Sequence, residues 1–174
     1  TMGEPGHTPP GGRPGQGDHT TALAILSSIL IALRERDLTG AGQDISIALL
    51  HAAIWTMGSD LSVGLVTGEV PQPIMRLETP SPLVGRFRCA DERWIMLTMP
   101  AENYWEGFCR ALGKSEWLSD SRFADPIERA NWGPELMIMC DKVFASAASH
   151  IWAEKLDAEG MVWSLIQSLD EVID

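Results

Sequence analysis

Between Ala22 and Leu33 the chain reads ALAILSSILIAL, twelve residues without a charge. A bilayer crossing needs about 20 apolar residues, so this run is too short to span one and calls for cover by protein. Leu23, Leu26, Leu30 and Leu33 recur at helical spacing, and Ile25, Ile29 and Ile31 occupy other faces. The pattern predicts a helix over Thr20–Arg36 enclosed on most sides. Ala22, Ala24, Ser27 and Ser28 would let neighbours approach closely. Arg34 and Arg36 suit the negative end of that helix, and Thr39-Gly40-Ala41-Gly42 supplies its stop.

What surrounds the run sets its context. Residues 1–17 are dominated by glycine and proline and read as a linker or loop. After the stop, Gln43-Asp44-Ile45-Ser46-Ile47 alternates as a short strand, and Ala48 to Asp60 reads as a second helix. Helix, strand and helix in close succession predict an α/β unit over residues 18–60. Gly64, Gly68, Pro71, Pro73, Pro80 and Pro82 mark 61–85 as a connection. A hairpin follows, Arg86 to Ala90 and Trp94 to Met99 about a turn at Asp91-Glu92, its second strand internal because it is apolar on both faces. Helices are expected from Pro100 to Leu112, Pro126 to Ser146, His150 to Glu159 and Leu169 to Asp174, with a strand from Met161 to Ile166. Residues 86–174 therefore read as a small α+β domain. Thr1 precedes the first methionine and the last residues look like a helix stopped in mid-course, so the chain reads as an internal fragment.

Charge and ligand-forming residues narrow the function. A net charge of -11 argues against nucleic acid or an anionic membrane as partner. Cys89, Cys109 and Cys140 are odd in number and widely spaced, and His7, His19, His51 and His150 are scattered, so neither disulfide nor metal is expected. A reducing cytoplasm fits. Asp18, between a glycine-rich lead-in and the apolar run, reads as an N-cap; the same placement at the positive end of a helix also serves a reactive carboxylate.

The segments GDHTTALAILSSILIALRERDLTGAGQDISIALLHAA, SPLVGRFRCADERWIML, YWEGFCRALG, DSRF and GMVWSLIQSLDEV, in this order from Asp18 to the end, resemble the family III CoA-transferases of CaiB/BaiF type. That group includes formyl-CoA transferase and α-methylacyl-CoA racemases. The resemblance implies part of a Rossmann-like large domain followed by a smaller α+β domain, in an interlocked homodimer whose CoA-binding half lies outside this chain. It implies Asp18 as nucleophile, an acyl-CoA thioester and a carboxylate acceptor as substrates, covalent acyl transfer as mechanism, and neither metal nor redox cofactor.

The same resemblance admits a racemase, with acid/base isomerisation in place of transfer. Racemases follow Gly-Asp with a glycine-rich run, whereas His19-Thr20-Thr21-Ala22 is nearer the transferase form, with Ala22 where a glycine is expected. A racemase histidine would lie upstream of this chain; His7 is a poor substitute and His19 reads as a solvated residue. Glu78-Thr79-Pro80-Ser81-Pro82 replaces the polyglycine loop of some transferases. Glu102, near an auxiliary glutamate of racemases, is explained by its place in a first helical turn. Trp94, Trp105 and Trp152 read as core and interface anchors, and Arg76 either as a contact to an acyl carboxylate or as an idle charge. Outside enzymes, the chain reads as a noncatalytic dimerisation module, inactive by itself.

Overall fold

The computed structural model describes residues 6–8 and 10–173. Residues 1–5 and 9 of the expected linker, and residue 174 of the expected terminal helix, lie outside the described residues. The chain divides into two units, one ending at Pro73 and one beginning at Ile74.

The first unit is helical. α1 (Gln16–Thr39) begins after Gly15, whose φ of 79° is left-handed, and ends at Gly40, φ 75°, whose N–H donates to the Arg36 carbonyl at 2.8 Å. Glycine relieves the Cβ clash at both sites, which fixes the start one turn earlier than the periodicity predicts. α2 (Leu49–Thr56) packs beside α1, and Thr21 and Ala52 are the buried residues there. The expectation that α1 would be enclosed does not hold within these residues: Leu23, Leu30 and Ile31 are 66%, 58% and 68% exposed. One short helix cannot cover apolar residues on several faces.

Two further elements depart from expectation. Gln43–Ile47 forms no strand, because the first unit holds no strand among the described residues to pair with it. The expected helix to Asp60 is two helices, α2 and α3 (Gly58–Thr67), bent by 74°. Met57 closes α2 by donating to the Ala53 and Ile54 carbonyls, and α3 runs on to Gly68, φ 75°. Among the described residues no single helix is long and apolar enough to cross a membrane.

The second unit carries a three-stranded antiparallel sheet, β1 (Arg86–Arg88), β2 (Trp94–Leu97) and β3 (Trp163–Leu165), in the order β1-β2-β3. Phe87 faces Ile95, and Ile95 faces Leu165, so β2 is internal as its two-faced apolarity predicts. Glu92 takes φ 65° in the turn, and Cys89 N–H donates to the Arg93 carbonyl at 2.8 Å. Beyond a 3₁₀ turn at Glu102–Tyr104 comes α4 (Trp105–Ala111); then α5 (Pro126–Asn131), α6 (Gly133–Phe144), α7 (Ser149–Ala158) and α8 (Leu169–Ile173).

The helix expected from Pro126 to Ser146 is broken at Trp132. A Cβ on Gly133 would lie 2.9 Å from the Thr79 carbonyl oxygen, so the segment leading into β1 crosses the start of α6 where only glycine fits. That segment is anchored a second time. Arg76 donates to both Asp141 oxygens, at 3.1 and 2.5 Å, and to the Arg86 carbonyl at 3.0 Å. Arg76 is thus a structural clamp between the lead-in and α6. Ser81 caps the 3₁₀ turn Pro82–Val84 by accepting from Leu83 N–H, bringing Leu83 into the core.

That core joins sheet and helices. Phe87 stacks on Phe144 with centroids 4.6 Å apart, and Trp152 packs on Phe144 at 5.1 Å while donating its Nε1–H to the Phe144 carbonyl at 2.9 Å. Trp105, Trp117 and Phe123 continue the aromatic layer. Arg129, 3% exposed, lies with its guanidinium 3.9 Å from the Trp105 ring centroid, makes a paired bond to Glu102 at 2.9 and 2.6 Å, and donates to the Phe123 carbonyl. Glu102 is therefore held as the counter-charge of a buried arginine. Trp105 and Trp152 are core anchors as expected; Trp94 is only half-buried.

Candidate active site

The site is organised by the first turn of α1. Gly15 turns the chain, and a Cβ there would lie 3.1 Å from Cε1 of His19, so the imidazole folds back over the glycine. His19 N–H donates to the Gly15 carbonyl at 2.8 Å, closing the first turn. Asp18 is consequently the third residue of α1 and not its N-cap, a correction to the capping reading: its side chain accepts no capping bond, and Gly15 holds the cap position. Thr20 and Thr21 return their hydroxyls to the Gln16 and Gly17 carbonyls at 2.9 and 2.7 Å. Neither hydroxyl serves Asp18.

The Asp18 carboxylate is exposed and forms no hydrogen bond or ion pair with any described residue. A first-turn acid lies where the helix dipole and the unpaired N–H groups favour negative charge. Gln16, Gly17 and Thr20 line a cleft of about 360 Å³ with Gly12, Arg13, Ala52, Ala53 and Thr56. With 3.6 residues per turn, Asp18 falls on the opposite side of α1, above Ala22, Ile25 and Ile29. Ile25 and Ile29 are 41% and 42% exposed. The carboxylate thus heads an open apolar stripe and has no protein partner among the described residues.

The other residues singled out in the sequence have places of their own within each unit. His51 accepts the Ala48 N–H on Nδ1 at 3.3 Å, and Glu102 is tied to Arg129 within the second unit. Among the described residues no group of three or more His, Cys, Asp or Glu could hold a metal ion. The three cysteines are free and buried. Burial pushes the Cys89 thiol up to about 11 and the Cys109 thiol up to about 12, and raises Cys140 well above the ordinary value, so none is a ready nucleophile. The role of Gly15 was missed by sequence reasoning, although a glycine one residue before a helical run is itself a signal for a left-handed turn.

The sequence pattern of CoA-transferase family III matches residues 1–174. The (R)-2-hydroxy-4-methylpentanoate CoA-transferase of Clostridioides difficile is 28% identical over 172 residues, 98% of this chain and 43% of that protein. A hypothetical protein from Mycobacterium tuberculosis superposes with a TM-score of 0.81 at 22% identity, covering 99% of this chain and 45% of the other. A CaiB/BaiF family protein from Brucella suis gives a TM-score of 0.77 at 20% identity, again over 99% and 45%. The chain therefore spans less than half the length of these relatives. By the match along its whole length, the chain belongs to CoA-transferase family III.

Proposed function

We propose that the protein carrying these residues transfers CoA between carboxylic acids, with Asp18 as the covalent nucleophile. One observation carries the assignment to a residue: in a chain of this family, Asp18 stands in the first turn of α1 with its carboxylate exposed and unpaired. An unengaged carboxylate beside free helix N–H groups has its lone pairs available and electrostatic support for charge developing nearby.

The reaction balances through three covalent intermediates on Asp18, an anhydride, a thioester and a second anhydride. An Asp18 carboxylate oxygen attacks the thioester carbonyl of acyl-CoA, the carbon–sulfur bond breaks, and CoA thiolate leaves a mixed anhydride on Asp18. The thiolate attacks the Asp18 carbonyl carbon of the anhydride, expelling the donor acid as carboxylate and leaving an aspartyl-CoA thioester. The acceptor carboxylate attacks that thioester carbonyl, forming a second anhydride and releasing CoA thiolate again. The thiolate then takes the acceptor's acyl group and regenerates the Asp18 carboxylate. The protein must orient these partners and exclude water, since an anhydride hydrolyses readily.

The relative from Clostridioides difficile is named for a 2-hydroxy acid, which makes short 2-hydroxy acids and their thioesters the first acceptors and donors to try. Racemisation is supported less well. It requires a paired acid and base about the α-carbon, whereas His19-Thr20-Thr21-Ala22 is nearer the transferase form and the relative from Clostridioides difficile is named as a CoA-transferase. The large-domain part is proposed to be Rossmann-like, the assembly a homodimer, and the 174 residues alone inactive.

The test is CoA transfer by the longest form of the protein, comparing Asp18→Asn and Asp18→Ala with the unaltered chain. Loss of kcat by about a thousandfold or more in both, with the fold retained, is expected for a nucleophile. Near-full activity in Asp18→Asn would remove Asp18 from the chemistry. A noncatalytic module would show no transfer in any form.

A further inference from the structure

α2 begins without a capping side chain at the usual place, because the residue before it is Ala48, whose methyl group offers no acceptor. His51, the third residue of α2, closes the turn instead. Its N–H donates to the Ala48 carbonyl at 3.0 Å, and its Nδ1 accepts the Ala48 N–H at 3.3 Å. This is the reciprocal pairing of a capping box with an imidazole where glutamate or glutamine is usual. Glutamine does not titrate and glutamate does so only near about pH 4, whereas an imidazole changes charge between about pH 5 and 8. With Nδ1 accepting, the neutral ring carries its proton on Nε2. A second proton goes to Nδ1, which then becomes a donor facing the Ala48 donor. It also places a cation in the first turn of a helix that has no acidic residue there, at the positive end of the dipole.

We infer that His51 is a proton-operated latch on α2: neutral, it closes the first turn; protonated from solvent, it releases that turn and loosens α2 from α1. The latch is wired to the contact by position. Ala52, the next residue, is 5% exposed and with Thr21 is what the packing of α2 on α1 buries, so fraying of the first turn reaches it directly. The imidazole is exposed, which gives solvent protons access. Nothing around it holds the cation in place. The α1 residues that share a groove of about 420 Å³ with His51 are Thr20, Leu23, Ala24 and Ser27, none of them charged. Arg13 lines the adjoining cleft, Asp18 and His19 lie in the first turn of α1, Asp44 precedes α2 and Asp60 opens α3; none of these bonds to His51. The remaining charges of α1, Arg34 to Asp37, stand near its other end.

The experiment is amide hydrogen exchange followed by mass spectrometry on the longest form of the protein, at about pH 7.5 and about pH 5.5, corrected for the pH dependence of chemical exchange. The unaltered chain is compared with His51→Gln, which keeps an acceptor that does not titrate, and His51→Ala, which has none. The expected result is protection across 48–56 that falls about three- to tenfold at the lower pH in the unaltered chain, the size of a lost cap, and a pH dependence that disappears in both variants. Unchanged protection in the unaltered chain would overturn the inference, as would a fall of the same size in either variant. An equal fall across the second unit would overturn it too, because it would mark a general loosening in acid. The readout requires no catalytic activity, so it stands or falls separately from the role of Asp18.

Discussion

The two units differ in how they use apolar residues. Among the described residues, every buried apolar side chain except Ala52 lies in the second unit, where Phe87, Ile95, Phe108, Phe144 and Leu156 have no exposed surface. The first unit contains the longest uncharged run of the chain and leaves most of it open. The difference shows that hydrophobic content does not make a core: Ala22–Leu33 has the content, whereas Phe87–Phe144–Trp152 has partners converging from a strand and two helices. The carboxylate proposed for catalysis sits in the unit that lacks its cover.

The largest predicted effect challenges this contrast directly. Phe144→Ala removes a ring packed against both Phe87 and Trp152 and should cost about 3–5 kcal/mol in denaturant unfolding of the 174-residue chain. Leu30→Ala, on the open face of α1, should cost less than about 0.5 kcal/mol there. Comparable losses for the two would end the distinction. Next, Arg129→Ala strips a buried guanidinium from Glu102, the Phe123 carbonyl and the Trp105 face, and should cost about 3 kcal/mol. Arg129→Lys should rescue only part, because an ammonium cannot make the paired contact. Full rescue by lysine would mean the planar geometry contributes nothing.

Smaller effects concern pH. Hydrogen bonds from Arg122 lower the Asp120 carboxyl to about 2, and the Ser149 hydroxyl and N–H lower that of Asp91. Both are depressed in the folded state, so their contribution is present above the ordinary carboxylate range near 4 and is lost as pH falls below it, for Asp120 toward about 2. Acid titration of the second unit should show weakening in that window, and Asp120→Asn should remove its own share. At the other end, the raised thiols make folding less favourable as pH climbs from about 9 toward 11 and 12, since the unfolded chain ionises its cysteines first. Thiol labelling under native conditions near neutral pH should therefore be slow at all three cysteines; rapid labelling of Cys109 would contradict its burial.

Legibility in the sequence divides along the same line. The hairpin was readable because alternation in Arg86–Ala90, a two-faced apolar strand after it and Asp91-Glu92 between them are all local signals. The break at Trp132 depends on Thr79 crossing Gly133, a contact more than fifty residues apart, although the Gly133-Pro134 pair hinted at it. The links from Arg76 to Asp141 and from Arg129 to Glu102 are also long-range, so the sequence offers Arg76 only an acyl carboxylate or no task, and Glu102 a first-turn place or a racemase-like one, and neither ion pair is legible. In the first unit, local pattern pointed to a strand at Gln43–Ile47 and an enclosed α1, and both readings depend on neighbours that the described residues do not provide. Asp18 was visible as the acid at the head of the apolar run; its place inside the first turn follows from the left-handed Gly15.

The most direct test of the account is to incubate the longest form of the protein with an acyl-CoA thioester, quench with hydroxylamine, and map the product by mass spectrometry. The account predicts a hydroxamate on Asp18 that is absent from Asp18→Ala. Turnover without a hydroxamate on Asp18, or with one on another carboxylate, would contradict it.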